Sequence, residues 1–227
     1  MKAGAVEIVL VVDRSGSMST TKQDAEGGLR HFLEGQRSVP GEARLTLYRF
    51  NDSVERVFEA RPIGEVRDHE LVIEPTGMTA LLDAMATAID EVGARLAKTP
   101  EDERPSKVFV VTVTDGEENR SHRFTHKDVF DRVSKQRDQF KWEFVFIGAN
   151  QDAIKTGAQL GIMRDSAITY AATARGTQAA YGVVGQAVMS ARVGGRPIAF
   201  SQADRTSALG QDDDAAVKSQ VRGPRAS

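Results

Sequence analysis

Apolar residues along this chain follow two alternating rhythms. Val6 to Val12 is apolar save for Glu7, and Val108 to Val113 and Phe144 to Ile147 are similar runs rich in β-branched and aromatic residues, as in strands covered on both faces. Elsewhere the spacing changes to three and four. Ala25, Leu29, Phe32 and Leu33 make one stripe, Leu82, Met85, Ile89, Val92 and Leu96 a second, and Ala180, Tyr181, Val184, Val188 and Ala191 a last, each predicting an amphipathic helix. Weaker signals stand at Val129-Phe130-Val133 and at Ile168 to Tyr170, and Arg61 to Glu74 has little periodicity. Strands that alternate with helices need crossovers, so a mostly parallel sheet is expected. Arg44 to Phe50 and Val54 to Glu59 break the alternation, because only Asn51-Asp52-Ser53 separates them. A link that short permits only a hairpin, which predicts one antiparallel strand at a sheet edge.

Length and composition narrow the picture. The 227 residues suit one domain plus an extension, at a prior of roughly 150 residues per domain. Beyond Gly194-Gly195 the chain turns to Ser, Gln, Asp, Arg and Gly, with an acidic triplet Asp212-Asp213-Asp214 and a basic end. Such a stretch lacks the apolar surface to offset its ordering entropy. Residues 1–194 are therefore expected to fold, and residues 195–227 to form a flexible polar tail. Apolar residues at 40%, charged residues at 27% and a formal net charge of −2 describe an ordinary soluble protein. No clustered Lys and Arg supply a nucleic-acid footprint.

There are no cysteines, which excludes disulfides, thiolate zinc sites and cysteine nucleophiles. Glu7 interrupts the amino-terminal apolar stretch and no small-residue cleavage site follows, so a signal peptide is not expected. The longest apolar run falls well short of the ~18 residues that span a bilayer. An intracellular protein without membrane contact is the expectation.

Candidate chemistry concentrates at the end of the first strand. In Asp13-Arg14-Ser15-Gly16-Ser17 a carboxylate and two hydroxyls alternate along a tight turn, and Gly16 lets the backbone bend between them. Ligands of open α/β sheets bind outside the carboxyl ends of the strands. Asp115, in Thr114-Asp115-Gly116, follows another strand, and Pro75-Thr76-Gly77-Met78-Thr79 precedes the second helix. Three loops would thus offer Asp13, Ser15, Ser17, Thr79 and Asp115 to one ion. Oxygen-only ligation favours a hard cation: Mg²⁺, with Mn²⁺ or Ca²⁺ as alternatives.

Plainer roles compete at several positions. Asp13 could cap the following helix, but Thr21-x-x-Asp24 lies nearer the helix start and has the form of a capping box, as does Thr125-x-x-Asp128. Asp83 suits a helix amino terminus, where the macrodipole stabilises an acid, and Asn51 and Asp52 are turn residues first. His122 and His126 have a zinc-like spacing, yet Arg123 stands where a zinc protease places Glu. A solvated loop and helix entry is the simpler reading. A phosphoester-processing enzyme is disfavoured: Ser15 stands where a general acid two residues after a nucleophilic Asp13 would be, and no phosphate-cradling Gly-x-x-x-x-Gly-Lys-Ser/Thr loop is present.

Asp-x-Ser-x-Ser, then Gly-x-Thr, then Thr-Asp-Gly, in this order, resemble the metal-ion-dependent adhesion site of von Willebrand factor type A domains. The resemblance runs from about Ala5 to Ala191, and Phe146-Ile147-Gly148-Ala149-Asn150-Gln151-Asp152 is also similar to stand-alone bacterial and phage members. It implies a Rossmann-like three-layer α/β/α sandwich on a mostly parallel six-stranded sheet with one antiparallel edge strand. It implies further that Ser15 and Ser17 bind the metal directly, Thr79 directly or through water, and Asp13 and Asp115 largely through waters. A protein partner presenting Asp or Glu would complete the coordination. The same resemblance implies a cytoplasmic or virion-associated accessory protein that is not an enzyme. The alternative function is a structural subunit of a bacterial or phage assembly in which the metal only stabilises the loops.

Overall fold

Strand β1 (Lys2–Asp13) is the centre of the molecule, and its alternating side chains define two cores. Val6, Ile8, Leu10 and Val12 face one core, while Val9 and Val11 face the other. Both faces are therefore apolar, which is why the strand reads as a continuous run. Glu7 is the exception, and it is buried without being orphaned: it accepts the Thr46 hydroxyl at 2.8 Å and forms an ion pair with Arg95.

In the computed structural model residues 1–149 and 151–211 are described. Five further strands, β2 (Ala43–Phe50), β3 (Val54–Pro62), β4 (Pro105–Thr114), β5 (Glu143–Ala149) and β6 (Ala167–Tyr170), complete one sheet in the order β3-β2-β1-β4-β5-β6. Every pairing is parallel except β2 with β3, the expected hairpin at the edge. Helices α1 (Lys22–Ser38) and α5 (Ala174–Gly194) pack on one face, and α2 (Leu81–Lys98), α3 (His126–Phe140) and α4 (Ala153–Gln159) on the other. The result is the three-layer sandwich with a mostly parallel six-stranded sheet. Among the described residues no helix is long and apolar enough to cross a membrane.

Three local expectations change. Thr21 stands at the start of α1, but its side chain makes no capping bond and its hydroxyl has no partner among the described residues; a 3₁₀ turn over Gly16–Thr20 feeds the chain directly into the helix. The Thr125–Asp128 box at α3 does form. The weakly periodic stretch after β3 contains two short 3₁₀ turns; Ile63 and Leu71 on them, and Val66 and Ile73 just past them, plug the core beside α1. Single apolar residues in irregular backbone leave no period to read.

The third correction concerns the expected tail from residue 195. Ile198 and Phe200 are buried, the Ile198 N–H donates to Glu143 Oε2 at 2.8 Å, and the Phe200 N–H donates to the Asp165 carbonyl at 2.8 Å. A short helix α6 (Gln202–Ala208), capped by Ser201 and Asp204, then packs beside β6, and Ala171 N–H donates to the Ala208 carbonyl at 3.0 Å. The folded unit thus extends at least to Gln211. Few apolar residues suffice there because backbone hydrogen bonds to existing elements carry much of the docking. The Asp212–Asp214 triplet and the basic end lie outside the described residues.

Helices α1 and α5 meet at Gly28. A Cβ added there would sit 2.4 Å from Tyr181 Cδ2 and 2.5 Å from Tyr181 Cγ, a clash with a rigid ring held by packing on both sides. Gly28→Ala is expected to destabilise the protein by about 1–3 kcal/mol, the usual cost of overpacking. Urea unfolding of variant and parent checks it.

Candidate functional site

The pairing of β1 with β4 builds the site. Val12 lies opposite Val113, so Asp13 and Thr114 leave the sheet side by side, and the Thr114 hydroxyl donates to Asp13 Oδ2 at 2.6 Å. The same hydroxyl accepts the Gly116 N–H at 3.2 Å, which turns the chain after Asp115. On the other side, the Ser15 N–H donates to Asp13 Oδ1 at 2.6 Å. Asp13 therefore shapes its own turn as well as the end of the neighbouring strand.

Hydroxyls gather on top of this base. Ser15 Oγ and Ser17 Oγ are 3.0 Å apart, and Ser17 Oγ donates to Asp115 Oδ1 at 2.5 Å. A Cβ placed on Gly116 would lie 3.0 Å from Thr79 Oγ1 and 3.5 Å from Ser17 Oγ, so both hydroxyls hang over the same glycine. All five predicted residues, Asp13, Ser15, Ser17, Thr79 and Asp115, thus converge at the carboxyl ends of β1 and β4. Asp13, Ser15, Thr79 and Asp115 are buried, while Ser17 is exposed and opens the cluster to solvent.

Backbone contacts hold the three loops in place. The Gly16 N–H donates to the Gly77 carbonyl at 3.0 Å, and the Thr76 N–H donates to the Arg14 carbonyl at 2.9 Å. Gly77 has φ +73°, and a Cβ there would meet Asp52 Oδ2 at 1.9 Å, so only glycine fits. The β2–β3 turn, read simply as a turn, also braces this loop: Asn51 Nδ2 donates to the Thr76 carbonyl at 3.0 Å and the Met78 N–H donates to Asp52 Oδ2 at 3.1 Å.

Burial dominates the electrostatics. It pushes the Asp13 carboxyl up from the ordinary 3.8 to about 6, against the lowering effect of the Thr114 and Ser15 hydrogen bonds, and the Asp115 charge adds to the rise. Asp115 is also raised by burial, with Ser17 opposing. No basic side chain offsets either carboxylate among the described residues; the nearby Arg14 turns instead to Glu55, 3.2 Å away. Two desolvated acids beside three hydroxyls form an all-oxygen donor set, and its chemistry fits a hard divalent cation.

Sequence reasoning missed the supports of this cluster. Thr114 was legible only as the last residue of a strand, and Asp83 only as an acid at a helix start. Asp83 in fact accepts the N–H groups of His122, Arg123 and Phe124 at 3.2, 3.1 and 3.0 Å. Asn119, Glu118 and Ser121 read as loop residues, because each partner lies some 36–40 positions away in the chain. His122 is exposed with Nδ1 3.4 Å from Asp83 Oδ2, and His126 opens α3. A cavity of about 380 Å³ between α2 and α3, bounded by Ile89, Ala97, Phe140 and Trp142, opens near the amino ends of β4 and β5, away from the five residues.

The sheet and its edge hairpin agree with comparisons to known proteins. Residues 8–117 match the family model of the von Willebrand factor type A domain, and the chain has the corresponding α/β fold. Among solved structures, proximal thread matrix protein 1 from the mussel byssus is similar at 14% identity and TM-score 0.62, over 79% of this chain and 46% of that one. A form of the mussel protein described with a zinc-occupied MIDAS motif, the metal-ion-dependent adhesion site, matches at 15% identity and TM-score 0.60, over 88% and 49%. The vWF domain of the type V pili tip protein Mfa5 from Porphyromonas gingivalis matches at 11% identity and TM-score 0.59, over 81% and 94%. The chain spans about half the length of the mussel protein. No curated protein matches it.

The raised Asp13 carboxyl predicts a pH dependence. A group that holds its proton more tightly when folded contributes fully at low pH and loses that contribution as pH climbs from about 4 to about 6. In chelator, the parent should lose up to about 3 kcal/mol relative to Asp13→Asn across that window. Urea unfolding of both proteins at pH 4 to 7 reads the difference directly, and parallel profiles would mean that the carboxyl is not desolvated.

Proposed function

We propose that the chain is a divalent-metal-dependent protein-binding module that captures an acidic side chain of a partner protein. The observation that carries this reading is a pair of buried carboxylates, facing three hydroxyls, with no basic group to offset them among the described residues. Ser15, Ser17 and Thr79 would hold Mg²⁺ through neutral oxygens, with Mn²⁺ or Ca²⁺ as substitutes, and Asp13 and Asp115 would balance its charge. When bound, the cation supplies an electropositive position for an outside carboxylate. Ser17, the exposed member, places that position within reach of a protruding Asp or Glu.

The protein's own groups support binding over catalysis. Both Asp13 oxygens are engaged by Ser15 and Thr114, and Ser17 holds Asp115, which leaves neither acid poised to move a proton. The five residues sit at the carboxyl end of the sheet with Ser17 open to solvent, a geometry that suits a macromolecular side chain more than an enclosed substrate. The zinc-occupied motif described for the mussel protein supports a divalent ion at the corresponding end of this fold. A purely structural role for the metal is less favoured, since the Gly16–Gly77 and Arg14–Thr76 backbone bonds already join two of the loops.

Ser15→Ala and Ser17→Ala are each expected to weaken Mn²⁺ binding by about tenfold with little change in metal-free stability, because each removes one hydroxyl of the cluster and no apolar packing. Asp13→Ala should bind far more weakly still. Titration calorimetry with Mn²⁺ measures all three. Partner retention on immobilised protein should vanish in chelator and return with Mg²⁺. Equal retention by the three variants and the parent would end the adhesion reading.

A further inference from the structure

The loop between β4 and α3 grips the start of α2 at four points. Asn119 brackets Thr79: its Oδ1 accepts the Thr79 N–H at 2.9 Å and its own N–H donates to the Thr79 carbonyl at 3.1 Å. One helical turn on, Glu118 Oε2 accepts the Leu82 N–H at 3.0 Å and Ser121 Oγ accepts the Asp83 N–H at 3.1 Å. These acceptors satisfy amide groups that the first turn of a helix leaves without intrahelical partners. The grip is returned, since the buried Asp83 carboxylate takes three consecutive N–H groups, those of His122, Arg123 and Phe124. Glu118 also closes its own loop, accepting the N–H groups of Arg120 at 2.8 Å and Ser121 at 2.6 Å.

We infer that Asn119 is a positioning residue for the metal cluster, clasping Thr79 so that its hydroxyl stays over Gly116 within reach of Ser17 and Asp115. This deepens the metal-binding reading and rests on it. The reason lies in the connections. Ser15 and Ser17 are fixed by the turn that Asp13 shapes, and Asp115 by the end of β4, but Thr79 belongs to a loop whose other braces act at Thr76, Gly77, Met78 and Ala80. Among the described residues only the clasp links the backbone of Thr79 itself to the loop that carries Asp115. Asp83, by pinning residues 122–124, anchors the far end of that loop so that Asn119 has something rigid to pull against.

Asn119 is exposed, so its side chain can be removed without opening the core. The test is a double-mutant cycle with Mn²⁺ as the probe, read by titration calorimetry, using parent, Asn119→Ala, Thr79→Val and the double variant. Asn119→Ala should weaken Mn²⁺ binding by about fivefold, the scale of one lost hydrogen bond. It should have no further effect once Thr79→Val has removed the hydroxyl it positions. A merely structural role would instead lower the melting temperature in chelator and leave the two losses multiplicative. Parental affinity in Asn119→Ala, or independent losses in the double variant, would overturn the proposal while leaving the metal site intact. Absence of saturable Mn²⁺ uptake by the parent would overturn both. Should Asn119→Ala fail to fold, Asn119→Ser, which keeps a shorter oxygen acceptor, is carried through the same cycle with the same expected coupling.

Discussion

The structure turns on the burial of Asp13 at the carboxyl end of its central strand. Removing an ionised carboxyl from water is costly unless it is hydrogen-bonded and its charge is answered. The fold meets the first condition with the Ser15 N–H and the Thr114 hydroxyl, and these two bonds dictate how the chain leaves β1 and β4. The second condition is met by no basic group among the described residues. A polar site is thereby set into the end of the sheet with an unanswered negative potential, and Asp115 adds to it.

The rest of the molecule makes that arrangement rigid. The sheet buries apolar side chains on both faces, with α1 and α5 on one and α2, α3 and α4 on the other, so the ends of β1 and β4 are fixed relative to each other before any loop contributes. The loops are then cross-tied by backbone hydrogen bonds and by side chains of Asn51, Asp52, Asn119 and Asp83. Preorganisation of this kind matters for ion binding, because hydroxyl oxygens attract a cation weakly one at a time and compete with water only when several are already in place. The von Willebrand factor type A fold supplies the frame, and on the proposed function the oxygens at its end would supply the specificity; the frame alone would not select a function.

Residues 195–211 show how a segment with almost no periodicity still folds. Ile198, Phe200 and Ala208 are too widely spaced to announce an element, yet they dock where Glu143, Asp165 and Ala171 offer hydrogen-bonding partners. Composition predicted the reverse because it counts apolar residues and is blind to the donors and acceptors waiting on the surface they meet. The same blindness hid the 3₁₀ plugs after β3 and the unused capping box at Thr21, where the Gly16–Thr20 turn runs on into the helix and no side-chain cap forms.

What the sequence determined by itself was the order of strands and helices, the hairpin at the edge, and the identity of five oxygen-bearing residues at loop positions. Those features are local: side-chain periodicity, a three-residue link, and ligand types placed at the ends of apolar runs. Only the tertiary structure decided that the five residues meet at one end of the sheet, that Asp13 is desolvated enough to hold its proton to about pH 6, and that Asn119 and Asp83 clasp one loop to another. Those facts depend on register between strands a hundred residues apart and on hydrogen bonds between loops, and neither leaves a trace in the spacing of residues along a single chain.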